Sequence, residues 1–491
     1  VGFFFSGVCP QVAASNQQNE DASFRNRVVG ERLEPSDEAW DEVMLIADLL
    51  MPYSVRVKPV TFEEWVQRFQ GNKQQQLRNE NERMNGKIPS KRELKRYNCF
   101  VKRQVKLAYA AFKQVEQECP RNIMSAKDSV KILLGVYFLA YSRYCHLHFS
   151  HHNDIYYEPG GLADEVTGWV LERTEWPLLE NDFSRFDRSN GLRSTQLKIS
   201  YAKKLGLTGE PLRIYELLLE RSKFTSRHGV MCVRQPGTLS GHPDTSWANT
   251  MINVTVQWYC IAKSWQLRCH PSKTFRELIT HPDFPMPGSH FRLAACGDDA
   301  IGRVRPDYAD RQGFINVGKT LGFKMKLKLG HSLMQARFCS NAFYPTADGN
   351  FLMAPTMRCV LKLGATIKDV GARNDNDKKA HMRGVALGLL KQTNHVPVLN
   401  DYIQSILRWT QGSKGRYLNE AKREASCKYR QIAEAQIEPP NSETYIAQMY
   451  GVSESVIHQL RFEIANMNEP GIYDSSAIEQ FVRAVARVED I

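Results

Sequence analysis

Adjacent aspartates, Asp298 and Asp299, follow a small apolar run in "RLAACGDDAIG" (Arg292–Gly302). Gly and Asp both favour turns, so a surface turn is one reading. The other is a pair of carboxylates lifted off the end of a strand to hold a metal. A second pair, Asp182 and Asp187, lies in "NDFSRFDRSNG". If a strand ends near Asp182 and the chain turns through Ser184 to Phe186, both acids face one cleft. Asp187 then starts a helix, where exposed N–H groups favour an acid, so simple capping explains it as well. A third stretch, "GTLSGHPDTSWANT", carries Ser240 and Gly241 in a flexible loop and Thr245 and Asn249 four residues apart. That spacing puts the last two on one helix face. Asn249 offers a donor and an acceptor, which suits a sugar hydroxyl and equally suits a neighbour inside a helix core. Carboxylates from two strand ends form an oxygen-rich site for hard cations. Two Mg2+ ions about 3.5–4 Å apart in such a site can activate a hydroxyl and stabilise a leaving pyrophosphate.

Those residues need a scaffold, and the chain has enough length for one. Its 491 residues suit several subdomains around a large core, and 42% apolar with 10% aromatic content excludes a disordered tail. Lys+Arg 65 against Asp+Glu 53 gives a net charge of +12. That excess fits a polyanion partner without demanding one. The 11 cysteines are dispersed, with no CxxC pair, and read as free thiols in a reducing compartment. Cys145, His146, His148, His151 and His152 crowd into "CHLHFSHH". Their spacing is not that of a zinc module and reads as helix-end and loop histidines. The longest apolar run, "ILLGVYFLAY" (Ile132–Tyr141), is far short of a spanning helix. The chain opens at Val1, and "VGFFF" lacks the length and basic flank of a signal peptide. A soluble chain is expected, with peripheral membrane contact left open.

Periodicity predicts the elements. "EAWDEVMLIADLL" is helical, and "TFEEWVQRFQG" starts on a threonine cap candidate. "NKQQQLRNENERMNGK" reads as a solvated helix, and residues 91–128 are basic with interleaved apolar residues. A long apolar helix is expected from Ser129 to about Phe149, and a loop with a short helix from Glu158 to Val170. "PLLENDFSRFD" reads as a strand and turn. Helix follows from Ser194 to Leu219, broken at Gly206 and Gly209. A strand, a loop and a long helix occupy "GVMCVRQPGTLSGHPDTSWANTMINVTVQWYCIA", and "RLAACGDDAIGRV" is a strand–turn–strand. "RQGFINVGKTLGFKMKLKLG" gives a helix, a break, and a strand alternating lysine with apolar residues. Helices dominate from about 355 onward, with Ser453 a cap candidate for one of them. The order describes an α+β core with helical decoration rather than a doubly wound sheet.

In order and spacing, these segments resemble the catalytic motifs of RNA-dependent RNA polymerases of positive-strand RNA viruses. "DFSRFD" is similar to their motif A, "SGHPDTSWANT" to motif B and "GDD" to motif C. With "FVKRQVKLA" and "PRNIM", the likeness is greatest to tombusvirus-like and nodavirus-like enzymes. It is tight from about Phe100 to Phe343. The resemblance implies that Asp182 and Asp298 bind catalytic Mg2+, for which Mn2+ can substitute, with Asp299 a lesser metal contact. It implies that Asp187 and Asn249 recognise the ribose 2′-hydroxyl, that Ser240 and Thr245 help place nucleotide and template, and that Gly241 lets the loop move. Lys102, Lys106 and Arg121 match the basic motif F of the nucleotide entry channel, although "KRQ" stands where relatives often carry a glutamate. Gly71 and Lys73 in "FQGNKQQQ" match motif G on the template path. "GFKMKLKLG" resembles motif D, whose general acid is Lys324 or Lys326; a solvated strand face is the alternative. "RFCSNAF" resembles motif E, a hairpin.

The implied fold is an α+β right hand with an antiparallel palm sheet, fingers and a helical thumb. The implied division is 1–95 N-terminal extension and part of fingers, 96–180 fingers, 181–196 palm, 197–234 fingers insertion, 235–354 palm and 355–491 thumb. "QGSKGR" (Gln411–Arg416) is a candidate thumb contact to product duplex or an ordinary surface loop. Implied partners are template and product RNA, ribonucleoside triphosphates, replication-complex proteins of virus or host, and a membrane surface. The implied location is the host cytoplasm, in membrane-associated replication complexes. Two rivals stand beside this reading: a reverse transcriptase, against which Asn249 and Asp187 argue, and a non-catalytic RNA-binding scaffold with a degenerate polymerase fold.

Overall fold

The computed structural model describes residues 2–29, 32–109, 120–237, 239–365, 374–415 and 438–489. Sixteen strands are named among them in chain order: β1 (Phe3–Phe5), β2 (Val8–Val12), β3 (Tyr97–Val101), β4 (Val105–Tyr109), β5 (Asn122–Ala126), β6 (Ile155–Tyr157), β7 (Leu178–Phe183), β8 (Ser222–Thr225), β9 (Met231–Arg234), β10 (Phe291–Cys296), β11 (Asp299–Val304), β12 (Met325–His331), β13 (Arg337–Phe338), β14 (Asn341–Pro345), β15 (Phe351–Pro355) and β16 (Gly471–Tyr473). Helices separate them, and the architecture is mixed α+β.

The central sheet has five strands in the order β12-β7-β11-β10-β6. Its ladders are antiparallel except β6 with β10, which is parallel. Both faces are covered, which is why "FRLAAC" reads as an almost unbroken apolar run. On one face lies the helix Thr245–Cys269, which packs on β6, β10 and β11. Being buried on nearly all sides, it carries apolar residues all round rather than in one stripe. The other face holds a smaller core in which Trp169 of the helix Ala163–Leu171 meets Leu178, Ala294, Ile301 and Phe343. Here the three-stranded sheet β13-β14-β15 is attached.

The expected helices form at Asp128–His148, Ala163–Leu171, Leu192–Lys204, Gly209–Leu219 and Arg311–Thr320. The break between the third and fourth contains Gly206 at φ +96°, a conformation that suits glycine. Thr61 caps its helix through a reciprocal bond with Glu64, as the sequence suggested. Ser453 occupies a cap position, but its hydroxyl meets that of Ser455 instead of the helix backbone. Among the described residues, no helix is long and apolar enough to cross a membrane.

The helices after residue 355 build a second core around Tyr402, Ile403, Ile457 and Phe481. Two remote segments complete it. Phe3 and Phe5 enter from β1, which pairs in parallel with β16, and the Tyr402 hydroxyl donates to the Phe3 carbonyl. Leu107 and Tyr109 enter from β4, whose outer partner is β2. The first strands thus bridge the basic segment and the C-terminal helices. Replacing Phe5 with alanine is expected to cost roughly 3–5 kcal/mol locally. Hydrogen exchange should show lost protection at 471–473 while β7 and β11 keep theirs.

Candidate active site

The ladders of the central sheet put one row of side chains across five strands. Asp182 on β7 pairs with Asp299 on β11 and with Lys326 on β12. Asp299 also pairs with Cys296 on β10. Glu158 directly follows β6, and its amide donates to the Ala295 carbonyl at 3.1 Å. Because directly paired residues share a face, these side chains line up one strand spacing apart, about 5 Å. Asp298 stands at the tip of the β10–β11 hairpin, whose turn is just Gly297 and Asp298, with Gly297 at φ +66°. Past Asp182 the chain reverses at Arg185, at φ +57°, and Asp187 enters the helix Phe186–Ser189.

The acids act on one another. Burial, and then the charge of Asp298, pushes Asp182 up, opposed by Lys326, whose Nζ lies 3.6 Å from Asp182 Oδ2, and by Arg121. Asp299 is pushed up to about 7 by burial and by Asp298 and Asp182. Buried Asp187 is also raised, by desolvation first, against a hydrogen bond from Asn249 Nδ2 to its Oδ1 at 2.9 Å. Such crowding favours a cation, and carboxylate oxygens are the donors a hard divalent ion takes. Asp182, Asp298 and Asp299 therefore fit Mg2+ by donor type. Their oxygens are neighbours without converging on one point. Among the described residues, the group of three ligand atoms all within 4.8 Å of one another is Glu158, Cys296 and Cys339.

The helix Thr245–Cys269 fixes the hairpin tip. Asn253 Nδ2 donates to the carbonyls of Gly297 and Asp299, each at 3.1 Å. The Gly297 amide donates to Thr250 Oγ1 at 2.9 Å. Asn253 lies one turn beyond Asn249, so a single helix face holds both the Asp187 carboxylate and the turn carrying Asp298. The four-residue step through Thr245 and Asn249 continues to Asn253. Thr245 donates its hydroxyl to the Leu239 carbonyl at 2.6 Å and to that of His242 at 3.0 Å, holding its own loop. Ser240 Oγ donates to the Asn122 carbonyl at 3.2 Å. Gly241 bridges to Ser125, and a Cβ there would lie 2.6 Å from Met124 O and Ser125 Cα. Its φ is not positive, so close approach to β5, not dihedral freedom, calls for glycine.

The basic residues separate. Lys102 and Arg121 lie side by side where β3 meets β5, with the Lys102 amide donating to the Arg121 carbonyl at 2.7 Å. Burial and Arg121 lower the Lys102 ammonium, while Asp298 and Asp187 oppose them, so this lysine feels the acids. Lys106 is elsewhere: it pairs with Gln11 on β2 and feels Lys362. Lys326 is in the row with Asp182, whereas Lys324 precedes β12 and its carbonyl accepts from the Ser184 amide. Gly71 starts its helix at φ +55°, and Lys73 forms a 2.7 Å ion pair with Asp128. Cys145 is buried in the main core, while His148 bonds the Tyr144 carbonyl and His151 lies 3.5 Å from Glu165. Arg416 and the stretch 110–119 lie outside the described residues.

Beneath the Ser240 loop is a charged network that motif spacing did not reveal. Lys198 Nζ lies 3.0 Å from Asp244 Oδ2, with side chains 1% and 0% exposed. The Tyr215 hydroxyl donates to the same oxygen at 2.6 Å, and His242 Nδ1 lies 3.3 Å from Oδ1. These partners hold Asp244 far below the usual carboxylate range, against the upward push of burial. Desolvation lowers Lys198 and His242.

Two known groups of proteins are similar to this chain. Residues 42–270 match the family model described as RNA dependent RNA polymerase, a span that holds Asp182, Asp187, Asp244 and Asn249 and ends before Asp298. The chain is also 25% identical, over 364 residues, to the RNA-directed RNA polymerase of Pariacoto virus, a nodavirus. That alignment covers 73% of this chain and 33% of the relative, so the chain spans about a third of the length of the curated protein it matches. Both matches are to proteins described as RNA polymerases.

Asp244→Ala should strand Lys198 without its closest carboxylate and lower stability by about 3–5 kcal/mol. Lys198→Met combined with Asp244→Leu should lose less than the two single changes summed. Urea unfolding followed by fluorescence checks both.

Proposed function

We propose that this chain is a template-directed RNA polymerase that joins ribonucleoside triphosphates to an RNA 3′-hydroxyl by in-line displacement of pyrophosphate. The observation that carries this reading is the row Asp299–Asp182–Lys326, with Asp298 at its tip and the Asp187–Asn249 bond beside it. In a right-hand description, the central sheet and the β13-β14-β15 sheet form the palm. The segments before residue 181 that lie outside the central sheet, and those between 197 and 234, contribute fingers, and the helices after 355 form the thumb. Asp182 and Asp298 would hold two Mg2+ ions, with Asp299 assisting. Bound there, the ions supply charge neutralisation and a more acidic 3′-hydroxyl.

The remaining steps fall to the chain's own side chains. Lys102 and Arg121 attract the triphosphate and offset its charge as pyrophosphate leaves. Lys326, rather than Lys324, is the general acid candidate, because its ammonium faces the acids. Asn249 and Asp187 already share one hydrogen bond, and the Asn249 amide retains acceptor and donor capacity for a ribose 2′-hydroxyl. Thr250 and Asn253 position the hairpin tip. The substrates are template RNA and NTPs, and the working location is the host cytoplasm at membrane-associated replication complexes.

Purified protein, an RNA template, Mg2+ and labelled NTPs test the activity. Asp298→Ala should reduce extension on the order of 10³-fold or more, with the circular dichroism spectrum unchanged. Equal extension by this variant overturns the metal assignment. Asn249→Ala should cut the preference for rNTP over dNTP by about tenfold, the worth of one hydrogen bond. An unchanged preference removes Asn249 from sugar recognition. Lys326→Leu should lower kcat by roughly 10²–10⁴-fold, with little effect from Lys324→Leu. The reverse ranking would move the acid to Lys324.

A further inference from the structure

We infer that Glu158, Cys296 and Cys339 form a binding site for a soft divalent cation of the zinc type, at the β6 end of the row that carries the catalytic acids. Their ligand atoms all lie within 4.8 Å of one another, although the residues come from three separate elements. Glu158 follows β6, Cys296 ends β10, and Cys339 turns the chain from β13 to β14 at φ +51°. Each is held by the backbone around it. Glu158 is tied to β10 through its amide, Gly161 donates to its carbonyl at 2.5 Å, and Asn341 Nδ2 donates to the Cys339 carbonyl at 3.0 Å. Glu158 is 1% exposed, and both cysteines pack against the core formed by Trp169 and Phe343. A site fixed in this way needs little reorganisation to take an ion.

Donor chemistry selects the ion. Two sulfurs and one carboxylate favour Zn2+ over Mg2+, whereas the neighbouring all-oxygen site has the opposite preference. On binding, each coordinating thiol releases its proton to solvent and sulfur donates a lone pair to the metal; no oxidant is involved. Three protein ligands leave a fourth position for water. The bound ion would staple β6, β10 and the β13–β14 hairpin directly behind Gly297, anchoring the turn that presents Asp298. This inference does not rest on the polymerase reading.

The test uses the full chain, stripped of metal and kept reduced with a phosphine, titrated with Cd2+. Thiolate-to-cadmium absorption in the ultraviolet should saturate at about one equivalent. Cys296→Ser or Cys339→Ser should abolish it, and Glu158→Gln should weaken binding at least tenfold. Replacing the exposed Cys9 and Cys269 with serine should leave it unchanged. No saturable band, or a band that survives in the Cys296/Cys339 double variant, overturns the site. If either serine variant fails to fold, zinc X-ray absorption on the unmutated chain decides. Two sulfur ligands at about 2.3 Å support the site, and any other sulfur count removes it. A Cys296–Cys339 disulfide in the protein isolated without reductant would also overturn it.

Discussion

The register of β7 is the constraint on which the rest depends. Asp182 is directly opposite Asp299 on one side and Lys326 on the other. A slip of one residue on either ladder would turn an acid or the lysine to the opposite face. The core enforces the register. Leu179 and Phe183 point into the main core, and Leu178 points into the smaller core behind the sheet. β11 obeys the same alternation through Ala300 and Ile301. The polar row occupies the ends of strands whose apolar residues leave no freedom to slide.

Two kinds of polar interaction then refine what packing fixes. Hydrogen bonds from Thr250 and Asn253 reach backbone atoms of the Asp298 turn, so they set its position without competing for its carboxylates. The buried Lys198–Asp244 pair acts one layer away, under the loop of Ser240 and Gly241. A buried pair of this sort contributes little net stability, since desolvation offsets attraction. It does make misplacement costly, because either charge alone in that interior is strongly unfavourable. Near the acids the balance is different: Lys326 and Arg121 offset only part of the repulsion, and Asp182 and Asp299 stay raised.

What could be read from the sequence was local. Asp182 with Asp187, Asp298 with Asp299, and Thr245 with Asn249 sit in short segments whose strand–turn or helical patterns survive into the structure. The alternating strand Met325–His331 was legible because its burial alternates with its residues, and the long helix because its apolar run is longer than a strand. The parallel pairing of Phe3–Phe5 with Gly471–Tyr473 left no local trace, since both segments are three residues long and nothing in either points to a partner so distant in sequence. Lys106 looked equivalent to Lys102 because charge spacing cannot tell which sheet a strand joins. Lys73 looked free for RNA because Asp128 is remote in sequence. Lys324 and Lys326 could not be separated until the β7 ladder fixed which one faced Asp182. Cys296 and Cys339 are likewise distant in sequence: sheet pairing and a hairpin turn, not spacing, bring them together.

The pairing of β1 with β16 also sets an order of events during synthesis. Phe3 and Phe5 leave the ribosome before the central sheet does, while Gly471–Tyr473 emerge only after that sheet has been made. Until then two large apolar side chains have no partner strand, and the C-terminal core lacks its final wall. Contacts this distant in sequence are the slowest to form, because the intervening chain must be ordered before they can be rewarded. Completion of the second core therefore follows synthesis of the central sheet, and until then the two phenylalanines are transiently exposed apolar surface of the kind that invites misassociation.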